Sequence, residues 1–264
     1  MQSGSVKQNL YSVKIVIYIA EMARRPGTAR ARAPHAASRA IPARGARKKT
    51  ASRTAGSSDD TPYHHGALRA ALLEAAERVL ERDGLSGLTL RAVAREAGVS
   101  HAAPTHHFGD LTGLVSELAA IGFRQFNAAM VAAGASGTSL IEKALARAKA
   151  YVAYAQAHPG MYSLMFRTER LDYSRPSLHE AAEASFAGLA GAVGASRHEE
   201  IHQEALSLDQ GAAIARAWSL VHGFTMLLLD GRLKNILHRL PEGTDAETLL
   251  DAMLRITVGR LPGC

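Results

Sequence analysis

Five consecutive residues, His198-Glu199-Glu200-Ile201-His202, spell the H-E-x-x-H pattern. On a helix, two histidines at i and i+4 can share a zinc ion while the glutamate polarises water. Three observations weigh against that chemistry here. The chain holds 12 His and 24 acidic residues, so a short match arises readily by chance. The flanking residues do not form a sustained apolar helix, and His222 is the sole candidate for a third ligand. Elsewhere in the chain, His64-His65 and His106-His107 are adjacent pairs, neither of which can aim both rings along one helical face. A zinc hydrolase using His198, Glu199 and His202 is therefore the lesser alternative, and neither a metal nor a cofactor is expected. The sequence offers no Ser-His-Asp order, phosphate loop, dinucleotide fingerprint or paired carboxylates, so no enzyme is expected. One cysteine, Cys264, excludes a disulfide within the chain and suits a reducing, cytoplasmic setting.

A longer stretch, residues 88–111, carries a different chemistry. Thr89 is placed to cap a short helix, and Leu90, Val93, Ala94 and Ala97 form its inner stripe. Gly98 can take the left-handed conformation that ends such a helix, and Val99 plugs the corner. Ser100 is placed to cap a second helix running to about Phe108. A small Ala94, then a glycine, then Val99 is what two closely crossing helices require. This is a helix-turn-helix, whose second helix enters the major groove of DNA.

The elements that position these residues read as helical from His64 onward. Leu68, Leu72, Leu73, Ala76, Val79 and Leu80 recur at helical spacing until Asp83-Gly84. Further helices are expected at about 111–133, 139–157, 160–169, 177–194, 207–231 and 245–259, separated by glycine- and proline-bearing breaks. No alternating strand pattern or repeat interrupts them, so the fold class is all-α. Residues 1–60 differ in kind. They hold 12 of the 31 Lys and Arg residues but 3 of the 24 acidic ones, so the basic excess of the whole chain lies there. Residues 23–60 are rich in Arg, Ala, Pro, Gly and Ser and read as a disordered basic tail. The Ile- and Val-rich run at 11–20 is too short to span a bilayer, and no membrane partner is expected. Its AT-rich codon types against the GC-rich ones that follow suggest translation from Met22, leaving 1–21 untranslated.

Helix one at 64–83, the turn unit, and the closing His107-Phe108-Gly109-Asp110 together resemble the TetR family of bacterial regulators. Downstream, Trp218-Ser-Leu-Val-His222-Gly223 and the run from His158-Pro159-Gly160-Met161-Tyr162 to Phe166 resemble its Trp-His-Gly branch. The resemblance implies a DNA-binding domain over 61–126 and a helical effector-binding and dimerisation domain over 127–264. It implies that Thr89 and Arg91 meet phosphates, and that Ser100, His101, Ala102, Thr105, His106 and His107 face base edges and backbone. It also implies a small-molecule pocket drawn from Tyr151, Tyr154, Met161, Met165, Phe166, Trp218, His222 and Met226, although core packing alone accounts for the same residues. The expected whole is a cytoplasmic homodimeric repressor on a palindromic operator of double-stranded DNA, released by an effector. Dimerisation is expected through 177–194 and 207–231. Two departures reduce backbone contacts. Thr105 stands where the family usually has Tyr, and Leu111 where it usually has Lys. They keep open a ligand-binding or protein-interaction module that binds DNA weakly.

Overall fold

The computed structural model describes residues 63–258, so the basic tail, the Met22 start and Cys264 lie outside the described residues. Helix α1 (Tyr63–Gly87) buries Leu72, Leu73, Ala76, Val79 and Leu80, while Glu74, Arg78 and Glu81 face outward. Its regular part ends where Gly84 takes φ +67°, a value that side chains beyond glycine rarely adopt. Helices α2 (Leu90–Glu96) and α3 (Ala103–Phe108) are short, and α4 (Leu111–Ala135) is long. There follow α5 (Leu140–Ala157), α6 (Pro159–Met165), a 3-10 turn (Thr168–Arg170), α7 (Pro176–Arg197), α8 (Leu208–Leu229), α9 (Lys234–Leu237) and α10 (Ala246–Val258). No strand occurs among the described residues, and the fold is all-α.

The starts of the long helices are written in their caps. Ser139 and Glu142 form a reciprocal capping box on α5, and Ser207 and Gln210 form another on α8. Two differences from the sequence reading stand out. The helix expected over 160–169 stops at Met165, because the chain turns to bury Leu171 and to bring the Asp172 N–H to Ser116 Oγ at 2.8 Å. The short α9 was not expected, and it follows Gly231 at φ +70°, anchored by the buried Leu233.

One hydrophobic core runs through both halves of the chain. It joins Leu72 and Val79 of α1, Val93 of α2, Leu114 and Phe126 of α4, Tyr151 of α5, Met161 and Tyr162 of α6 and Leu178 of α7. Close approach makes this continuity. A side chain at Gly122 would stand 2.7 Å from Met161, so α6 can lie directly on the backbone of α4. Helix α8 is apolar yet mostly uncovered: 28% of its most apolar 18-residue stretch is buried. It is the one described helix long and apolar enough to cross a membrane. It packs instead through Ala213 and Ile214 on Ala190 and Val193, and through Phe224 on Val152, Leu233 and Leu250.

Candidate DNA-binding unit and the buried cluster behind it

Thr89 Oγ1 accepts the Ala92 N–H at 3.1 Å and so caps α2 as its position requires. Val93 and Ala94 are buried, and α2 closes with the paired bonds of a Schellman motif. The Val99 N–H reaches Ala94 O at 3.0 Å, and the Gly98 N–H reaches Arg95 O at 3.2 Å, with Gly98 at φ +68°. The left-handed glycine and the plugging Val99 therefore make the turn between the two helices. Arg78 and Arg82 of α1 reach Glu96 of α2 at 3.0 and 2.8 Å, but such exposed pairs contribute little beyond orientation.

The second helix starts later than expected, and Ser100 does not cap it. Its N-cap is Ala102, without a side-chain bond, and the Ser100 carbonyl, not its hydroxyl, accepts the Ala103 N–H at 3.0 Å. The cause is Pro104, buried in the first turn of α3, where its missing N–H costs no helical bond and its fixed φ suits the helix. Ser100, His101, Ala102, Thr105 and His106 are all exposed, as are Thr89 and Arg91 on α2. His107 stands apart from them. It is half-buried, its ring 6.3 Å from that of the buried Phe108. Asp110 Oδ1 accepts the Gly113 N–H at 2.7 Å and starts α4, while Leu111 packs half-buried against the core.

Tyr151, Tyr154, Met161, Met165, Phe166, Trp218, His222 and Met226 come together, as parts of the packed interior between α4, α5, α6 and α8. At its centre lies a polar triangle that includes Tyr162, a residue not singled out from sequence. Tyr151 Oη and Tyr162 Oη stand 2.9 and 2.8 Å from His222 Nδ1, and Tyr162 O–H donates to Tyr151 Oη at 3.2 Å. Burial lowers the His222 pKa to about 4 and pushes Tyr151 up to about 12. Burial and then the neighbouring Tyr151 raise Tyr162 as well. All three groups are therefore neutral near pH 7. With Nδ1 as acceptor, Tyr151 donates to it and Tyr162 donates to Tyr151, which leaves neither hydroxyl proton unpaired. Aromatic rings enclose the triangle. Phe166 lies 4.8 Å from His222, Phe126 lies 4.9 Å from Tyr151, and Trp218 lies 5.9 Å from His222.

The H-E-x-x-H residues are not arranged for zinc. His198 ends α7 in a left-handed conformation at φ 56°, and the residues from Glu199 to His202 are not helical. Arg197 pairs with Glu199 and with Asp209, which ties this segment to the start of α8. The i, i+4 face on which two zinc-binding histidines would sit is not formed, and the hydrolase alternative loses its geometry.

Comparison with known proteins agrees with this architecture. Residues 72–118 match the family of bacterial regulatory proteins, tetR family, and residues 144–256 match a tetracyclin repressor-like C-terminal domain. A Mycobacterium tuberculosis protein described as an uncharacterized HTH-type transcriptional regulator, Rv0681, is 27% identical over 196 residues, covering 72% of this chain and 80% of that protein. A protein of unknown function from Rhodococcus sp. RHA1 has a solved structure that is 33% identical, with a TM-score of 0.61 over 76% of this chain and 99% of the other. The fold is also that of PfmR, a TetR family transcriptional regulator from Thermus thermophilus, at 17% identity and a TM-score of 0.50 over 72% of this chain and 98% of that one. The chain belongs to the TetR family of transcriptional regulators.

Proposed function

We propose that the chain is a homodimeric repressor that binds a palindromic operator and is released from it by a small-molecule effector. The observation that carries this reading is the exposed row formed by His101 and Ala102, in the turn that leads into α3, and by Thr105 and His106 on α3 itself, whose other side, Pro104 and Phe108, is buried. An exposed row on a fixed helix is what base reading in a major groove needs. Ala102 suits a thymine methyl, Thr105 and His106 suit purine acceptors, and Thr89, Arg91 and Ser100 suit phosphates. His107, half-buried, contributes to the placement of the helix end more than to base contact.

Dimerisation is supported by α7 and α8. Leu208 is 91% exposed and Leu227 42%, while Gly188, Gly191, Gly211 and Gly223 have open space where a side chain would stand. A second copy would cover that apolar, small-residue face, and two recognition helices would then span two half-sites. An effector entering beside the Tyr151–Tyr162–His222 triangle would need higher affinity for one arrangement of the helices than the other to release DNA, with α4 as the connecting lever. The half-buried Leu111 and the short Thr105 favour a second reading, in which intrinsic DNA affinity is weak and ligand or protein binding leads.

Fluorescence anisotropy of the full chain with its own upstream DNA and a scrambled control, across a salt series, separates the two. Preferential binding that survives physiological salt, with two chains per site by sedimentation, supports the repressor. Equal binding to both DNAs would make the interaction module the leading reading.

A further inference from the structure

Phe108 ends α3, and it is held from two sides. Its carbonyl accepts a hydrogen bond from Arg175 Nη2 at 3.1 Å, and its buried ring lies 5.4 Å from the Arg69 guanidinium. Glu117 of α4 joins the two arginines. It sits 2.5 Å from Arg69 Nη2 and 3.8 Å from Arg175 Nη1, and it accepts from Ser177 Oγ at 2.9 Å. Its side chain is 14% exposed, so these charges are shielded from solvent more than a surface pair is. Asp172 stands 3.6 Å from Arg175 Nε, a buried donor without a hydrogen bond.

The sequence makes room for this arrangement at one position. A side chain at Gly113 would collide with both the Phe108 carbonyl and the Arg175 guanidinium. Helix α3 has six residues and no side-chain bond at its N-cap, so little within it fixes its direction. Arg175 is the N-cap residue of α7, so its guanidinium links the beginning of that long helix to the last carbonyl of the recognition helix. Carbonyls at a helix C-terminus lack partners and carry partial negative charge, which a cation satisfies on both counts.

We propose that Arg175 is a positioning residue for DNA recognition: supported by Glu117, it sets the direction of α3 through the Phe108 carbonyl and ties it to the start of α7. The inference rests on the DNA-binding reading above. It assigns Arg175 no contact with DNA, and it makes any shift of α7 against α4 felt at the base-reading face.

Two measurements on the full chain test it: amide hydrogen exchange without DNA, and operator anisotropy across a salt series. In Arg175→Gln, amides 103–109 exchange faster while those of α8 keep wild-type protection. Operator affinity falls about ten-fold, the order expected for one lost hydrogen bond to a charged group. The slope of log affinity against log salt stays at its wild-type value, because no phosphate contact is removed. Arg175→Lys recovers part of both losses, and Glu117→Gln, which keeps the guanidinium and removes its support, shows them in weaker form. Unchanged exchange at 103–109 in Arg175→Gln would overturn the proposal. So would a slope reduced by about 0.9, which would make Arg175 a direct phosphate contact. If the wild-type chain fails to prefer its upstream DNA, the DNA-binding reading fails, and the exchange data still decide what Arg175 does to α3.

Discussion

The end of the recognition helix and the Tyr151–Tyr162–His222 triangle are both polar sites inside a helical protein, and they are held by opposite means. At Phe108 the groups are charged, partly buried around Glu117, and drawn from α1, α4 and the start of α7. At His222 they are neutral, buried and ringed by aromatics. Charged groups near a solvent edge can replace a lost partner with water, at a cost that grows with their shielding and exceeds that of a surface pair here. Neutral hydrogen bonds in a closed core cannot, since each unpaired group carries its full desolvation penalty. On the function proposed above, the first site suits a joint that sets the recognition helix, and the second a rigid body whose opening would need a ligand to replace the bonds it breaks.

The sharpest way to break the comparison is Phe108→Ala, since that ring belongs to the core shared by both halves. A loss of about 3–5 kcal/mol is expected in urea unfolding, as for other buried aromatics. Because the core is continuous, the transition should stay single; two separate transitions would divide the halves. Next in size is a pH effect at the triangle. His222 has its pKa lowered from 6.5 to about 4, so below pH 6.5 the unfolded chain takes up a proton that the folded one does not. Stability from this group is full above pH 6.5 and lost as the pH falls towards about 4, a change on the order of 3 kcal/mol. Unfolding of wild type against His222→Gln over that window checks it, and parallel curves would count against the buried neutral histidine.

Tyr162→Phe should cost less, about 1–3 kcal/mol, through the polar groups it leaves short of a partner. Its effect should register in unfolding while operator affinity per folded molecule is retained. Thr89→Ala comes lower, at about 1 kcal/mol for a lost N-cap. It should raise amide exchange in α2 and weaken DNA binding without touching the pH profile. His202→Ala is the smallest, with stability within about 0.5 kcal/mol of wild type, as for other exposed positions. Zinc content and any hydrolytic activity lost with this histidine would restore the reading that the geometry disfavours.

The legible parts of the sequence were the periodic and the local ones. The stripe Leu72, Leu73, Ala76, Val79 and Leu80, the Thr89 cap and the Gly98 turn depend on neighbours within a few residues, and the structure has them as read. Ser100 misled because hydroxyl type alone does not say where a helix begins, and Pro104 moved the start. The H-E-x-x-H match misled for a related reason. Its spacing assumes a helix, and His198 takes the conformation that ends one. Arg175 and Phe108 are 67 residues apart, and no periodicity within either segment couples them. Tyr162 sits in the same His-Pro-Gly run that drew attention to Met161. Its hydroxyl acquires meaning only when α8 brings His222 to it.

The most direct test of the central claim is selection of binding sites for the full chain from a random DNA library. The account predicts an enriched palindrome whose half-sites lie about one helical turn, or a multiple of it, apart, with enrichment lost in His101→Ala/Thr105→Ala at unchanged stability. No enriched sequence, or an enriched site that the double variant selects equally well, would contradict it.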